Sequence, residues 1–271
     1  MSQKNSHQMS KISEQINAVV TITARDIILT FESPSSIATS FMFPLIMLGM
    51  LGGGLMQSIG SNLNFNYGDY TLVGTMVNML FMITTLGMVS LVEDRQSNFT
   101  MEMLVAPVSR YAIVIGKILG SMFAAIIGLI GTLVIGLFMK ISLSWFQLLR
   151  VLILSPLMCL AAGSLTMIVI GLIKNTRTAS MVASFLVLPQ TFLSGVLIPL
   201  NHANGLLLIL SRVMPMTYCV DLMRAFLYMG TKEYSAMVVF NPLWSLALIL
   251  ILTILFLIVG TFLFTKSQTN H

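Results

Sequence analysis

Six runs of apolar residues, each nearly free of charge, alternate with short polar stretches along the chain. They cover about residues 37–59, 71–92, 111–139, 148–173, 179–200 and 242–264. Each exceeds the ~20 residues that a helix rising 1.5 Å per residue needs to cross a hydrocarbon core of ~30 Å. The pattern therefore predicts an all-α polytopic membrane protein with six transmembrane helices. Ahead of them, residues 12–31 are amphipathic at helical spacing. Ile12, Ile16, Val19, Val20, Ile27 and Phe31 share one face, and Glu14, Asn17, Thr21 and Arg25 the other. Glu14, Arg25 and Asp26 argue for a helix lying in the interface rather than crossing it, and Pro34 allows a turn into the bilayer. Residues 1–11 read as disordered. The domain organisation is then a cytosolic tail and interface helix at 1–35, one six-span domain at 36–266, and a cytosolic tail at 267–271.

Two polar stretches stand out. Residues 93–110 lie between the uncharged run 71–92 and a run whose one charge is Lys117, and can hold a short helix, capped by Ser97 or Asn98 and limited by Pro107. It aligns Phe99, Met103 and Ala106 on one face. Apolar side chains held in water read as a docking surface for a partner, with an incidental helix on the lipid surface as the equally weighted alternative. Residues 201–241 are the second stretch. A span over 205–229 would place Arg212, Asp221 and Arg224 in lipid at ~2.5–3.5 kcal/mol each, so two short external re-entrant half-helices broken at Pro215 fit better. Asp221 and Arg224, three apart, read as a local ion pair.

Composition narrows the class. The chain is 56% apolar and 8% charged, with a mean hydropathy of +0.94. Soluble domains carry about 25% charged residues, so lipid is the solvent here. The net charge of +5 is not gathered into a stripe, which argues against nucleic acid. Cys159 and Cys219 are the cysteines, and three scattered histidines offer no zinc spacing. About 35 mostly polar residues precede the first apolar run, which does not read as a cleavable signal. With the N-terminus inside, the cytoplasmic side receives Lys4, Lys11, Arg25, Arg95, Arg110, Lys117, Lys174, Arg177 and Lys266, and the outside Lys140, Arg150, Arg212, Arg224 and Lys232. That bias predicts a plasma-membrane protein with both termini cytoplasmic. No His, Asp or Glu falls within the six runs, which makes a membrane enzyme a poor reading.

Within the spans, Gly116, Gly120, Ala124 and Gly128 form a small-residue stripe for close helix packing, in this chain or against a second copy. Lys117 is expected to snorkel to the interface. Asn78, Gln190 and Thr191 are polar groups that either line a translocation path or bond a neighbouring helix.

In the first polar stretch, Glu93, Arg95, Thr100, Glu102, Leu104, Pro107, Ser109, Arg110, Gly116 and Lys117 stand in one order. In the second, Phe192-Leu193-Ser194-Gly195-Val196 runs to Pro199, followed by Pro215, Thr217, Tyr218, Asp221 and Arg224. Both sets resemble the motifs of ABC-2 type transporter permeases, the membrane subunits of ABC exporters, and in particular their daunorubicin-resistance-like branch. Phe99 departs from the pattern, which has glycine there. The resemblance implies that 93–110 holds a cytosolic coupling helix seated on a separate ATPase. Glu93, Arg95, Phe99, Thr100, Glu102, Met103, Leu104, Pro107 and Arg110 are then the docking residues. It implies two ATPase copies, a second permease copy of the same or a related kind, and ATP with Mg held by the partner and no cofactor by this chain. Gly116-Lys117 is no phosphate loop, since Ile118 follows and no glycine stands at 111. The cargo so implied is an amphipathic drug or lipid-like compound. A lipid-linked polysaccharide and a signalling or scaffold role remain open.

Overall fold

The computed structural model describes residues 2–55, 65–96, 109–141, 143–202 and 205–269, and contains helices and no strand among them. Helix α1 is Ser2–Phe31. It takes in residues 2–10 as well, where the polar composition predicted disorder. Pro34 sits in the first turn of α2, Pro34–Pro44, where its missing N–H costs nothing. From there the chain continues as a π-helical segment, Leu45–Gly52. Helix α3, Tyr67–Gly87, starts where the Asn66 side chain accepts the Gly68 N–H. A turn at Met88 and Val89 leads into α4, Ser90–Gln96.

Helix α5 is Arg110–Phe138, capped by the Ser109 hydroxyl accepting from Ala112 N. Helix α6, Trp145–Ile170, opens on a reciprocal capping box between Ser144 and Gln147. In α7, Thr176–Leu193, Asn175 accepts the N–H groups of Arg177 and Thr178. Each of these caps lies in a polar interruption between apolar runs, which is why the breaks fall there. Helices α8, Leu206–Val213, and α9, Pro215–Leu227, meet at 87°. Pro215 cannot donate into a continuing helix and opens the second one instead. The short α10, Tyr234–Met237, precedes α11, Pro242–Thr269.

Among the described residues, four helices are long and apolar enough to cross a membrane: Tyr67–Gln96, Arg110–Phe138, Trp145–Ile170 and Pro242–Lys266. The bent pair α8–α9 makes a fifth if it counts as one span. The other two expected spans are shorter among the described residues. The first is described to residue 55, and α7 has 18 residues. The chain is thus a multi-pass membrane protein with four or five clear spans among the described residues.

Helix α3 is the hub. Leu72, Val73, Met76, Val77, Leu80 and Phe81 are fully buried against α5, α6 and α9. A smaller core of Met88, Val92, Ile113, Ile118, Met167 and Phe264 closes the other end of the bundle. By contrast α11 exposes Leu250, Ile251, Ile254, Leu255, Ile258 and Phe262. Such an all-round apolar helix is at home against lipid rather than water.

Candidate functional site at the end of the bundle

The expected docking segment falls between α4 and α5. Phe99, Thr100, Glu102, Met103, Leu104 and Pro107 lie outside the described residues. What the structure shows is the frame on either side of them, and that frame is built from buried charge. Lys117 is 1% exposed, seven residues into α5. Its Nζ lies 3.0 Å from Asp26 Oδ1 of α1 and 2.6 Å from Asp94 Oδ2 of α4, and it donates to the Ser90 hydroxyl at 3.1 Å. On the far side of Asp94, Arg25 forms a two-pronged bond to both carboxylate oxygens, at 2.7 and 3.1 Å. Two cations and two carboxylates thus alternate across three helices. The expected snorkelling of Lys117 is corrected: α1 covers that face of α5, so the ammonium finds carboxylates before it finds water.

Alternation is what makes the cluster tolerable. A lone ion in a low-dielectric interior costs several kcal/mol, and only close opposite charges offset it. Burial pushes the Asp26 carboxyl above the ordinary aspartate range, and the Lys117 ammonium draws it back down. For Arg25, the hydrogen bond to Asp94 leads, and it raises the guanidinium's proton affinity.

Small residues let α1 come this close. A Cβ on Gly116 would meet Ile22 Cβ at 3.0 Å, and one on Gly120 would meet Asp26 Cβ at 2.6 Å. Farther along α5, a Cβ on Gly128 would run into Ile83 of α3. Ala124, between them, faces a cleft. The stripe therefore packs inside this chain, first on α1 and then on α3. Amphipathic α1 sits with Ile22 buried on α5, and its exposed Ile16, Val20, Ile28 and Phe31 point away. The Thr23 hydroxyl donates to Gly116 O, and the Gln15 side chain accepts Ser109 N, which ties α1 to the residue where the chain re-emerges from 97–108.

The remaining expected docking residues divide. Glu93 is exposed and lines the cleft, and Arg110 opens α5 half-buried. Arg95 turns inward: it donates to Ile173 O at 3.3 Å and lies 4.5 Å over the Phe264 ring, joining α4 to the ends of α6 and α11. Sequence reasoning missed Asp94 and gave Asp26 no partner. The available signal was Lys117 itself, an isolated cation at the start of an apolar run, which needs a carboxylate.

Asn78 donates to the Thr191 hydroxyl at 2.6 Å, joining α3 to α7, and both are buried. Gln190 accepts Met216 N at the start of α9. In this single chain the three polar groups face neighbouring helices. The second motif set forms a structural clamp. Arg224 is buried, donates to Gly195 O at 2.8 Å and Tyr70 O at 3.0 Å, and lies 3.3 Å over the Tyr70 ring. Asp221 accepts the Val239 and Phe240 N–H groups instead. The expected Asp221–Arg224 ion pair is therefore replaced by two separate backbone clasps, because both side chains point into the fold rather than along the helix surface.

Residues 17–228 match the model of the family "ABC-2 type transporter". The chain is also 28% identical over 245 residues to a protein of Cyanophora paradoxa described as "Putative transport permease ycf38", covering 86% of this chain and 82% of that one.

Proposed function

The chain belongs to the ABC-2 type transporter family, and from that premise we propose that it is the membrane subunit of an ATP-driven exporter energised by a separate ATPase. The observation that carries the reading is the family match over 17–228, whose bounds take in the loop at 97–108 and the charged frame around it. In this reading the spans number six, with both termini and the loop in the cytoplasm of the cell membrane. Two copies of the ATPase grip a pair of membrane subunits through 93–110. The cargo is an amphipathic drug or lipid-like compound.

The frame supports a mechanical role for the loop. The chain enters it from α4 and leaves it into α5, and both are ion-paired to α1. A push on the loop would then move three helices as one body, because sliding any one of them separates buried charges. Helix α3 continues from α4 through the core, so the displacement reaches the Asn78–Thr191 contact. A path past Asn78, Gln190 and Thr191 requires α3 and α7 to part there.

Capture of the cognate ATPase by the full chain tests the assignment. Phe99→Asp and Leu104→Asp are expected to abolish capture and ATP-driven export while the protein still inserts. Unchanged capture and export would overturn the docking role, and signalling without transport in reconstituted vesicles would favour a scaffold.

A further inference from the structure

A cleft of about 440 Å³ opens between α1, α2, α3, α4 and α5. That lies within the ~300–1,000 Å³ of small-molecule sites. Its wall is apolar along Met79, Ile83 and Leu86 of α3 and Ile127 of α5. At the end nearest the ion-paired cluster, Asp26 and Glu93 take over. From Met79 on α3 to Glu93 on α4 is at most about 20 Å, at 1.5 Å per residue. The cleft changes from oily to acidic along its length.

The charge at that end is one-sided. Among the described residues, no Lys or Arg lines the cleft. Arg25 and Lys117 stand nearby but are drawn onto Asp94 and onto Asp26 Oδ1. Among the described residues Asp26 Oδ2 takes no hydrogen bond and Glu93 forms no ion pair. Among the described residues the four charges of the cluster cancel, and Glu93 stands as a further carboxylate outside them. An anionic headgroup placed there would meet carboxylates on two sides, whereas an ammonium would satisfy them.

We propose that this cleft is a binding site for an ammonium-bearing amphiphile, with its hydrocarbon part along Met79, Ile83, Leu86 and Ile127 and its cationic group between Asp26 and Glu93. The mouth adjoins α1, whose Leu29 lines the cleft and is 46% exposed, so such a molecule enters from the interfacial layer of the membrane. Binding needs neither ATP nor an ATPase. A failure here leaves the subunit assignment standing, and a failure of ATPase capture leaves the site standing.

Photocrosslinking of the full chain in phosphatidylcholine nanodiscs tests this, with dodecylamine carrying a mid-chain diazirine as the probe. Labelling is expected to concentrate in residues 79–93 and 120–127. Unlabelled dodecylamine should reduce it by about fivefold or more, while dodecanoate at equal concentration should reduce it less than about twofold. Phosphatidylethanolamine added to the discs identifies the natural source: competition by it makes the occupant a lipid, and none makes it a single-chain amine. Ala124→Phe, which fills the cleft, and Glu93→Gln, a change at an exposed side chain, should each lower labelling about threefold. Equal competition by dodecanoate, or labelling untouched by Glu93→Gln, would overturn the proposal even if the Ala124 variant failed to fold.

Discussion

Lys117→Met removes the central cation of the buried cluster while keeping the length and volume of the side chain. Repacking alone then costs less than ~1.5 kcal/mol. The electrostatic loss is larger. Asp26 and Asp94, whose side chains are 11% and 6% exposed, lose the ammonium that lies 3.0 and 2.6 Å from them. Arg25 remains on Asp94 but reaches Asp26 only at 3.9 Å. Breaking a buried pair by deleting one partner costs about 3–5 kcal/mol, because the remaining charge stays desolvated. Lys117→Met is therefore expected to destabilise the protein by ~3–5 kcal/mol. Adding Asp26→Asn should give back part of that, with a coupling of at least ~1.5 kcal/mol in the double-mutant cycle. Helical circular dichroism during denaturant titration in mixed micelles reads both quantities. A single-mutant cost below ~1 kcal/mol, the level of an exposed ion pair, together with additive double-mutant behaviour, would refute the account of the cluster.

Arg224→Met should cost about 2–4 kcal/mol in the same assay, since the carbonyls of Gly195 and Tyr70 each lose a buried donor. Arg224→Lys should recover only part of it, because an ammonium can replace the one terminal nitrogen that donates to both carbonyls but not the planar stacking on Tyr70. Gly74→Ala is expected to destabilise by ~1–3 kcal/mol, as its Cβ would stand 2.5 Å from Val196 O and backbone has to move. Gly53→Ala, with nothing within 4 Å, should be neutral or gain up to ~1 kcal/mol of helix propensity. Asn78→Ala should cost about 1 kcal/mol, the net worth of its bond to Thr191, and more would point to further contacts in the assembled transporter.

Much of the helical layout was legible because lipid leaves the backbone few choices. Long uncharged runs must be helices, and the polar interruptions at Asn66, Ser144 and Asn175 carry the side chains that cap them. Pro215 announced the break between α8 and α9 for the same local reason. Partners across the fold were not legible. Periodicity placed Gly116 and Gly120 on one face but could not say that α1 would cover them, since that depends on how a helix 90 residues earlier folds back. The same blindness sent Lys117 to the interface and paired Arg224 with Asp221. In both cases spacing along one helix was consistent with a local solution, and burial by a distant element imposed another. Asp94 went unweighted because a carboxylate in a charged loop reads as solvated until a second helix removes the water.

The proposed docking of an ATPase on residues 97–108 requires that segment to lie in the cytoplasm, and thiol labelling of Ser97→Cys tests this directly. Both native cysteines, Cys159 and Cys219, are free and buried, so an introduced thiol reports with little background. A membrane-impermeant maleimide should leave the variant unmodified in intact spheroplasts and modify it fully once they are permeabilised, with protection on adding the ATPase. Full modification in intact spheroplasts would place the loop outside the cell and contradict the account.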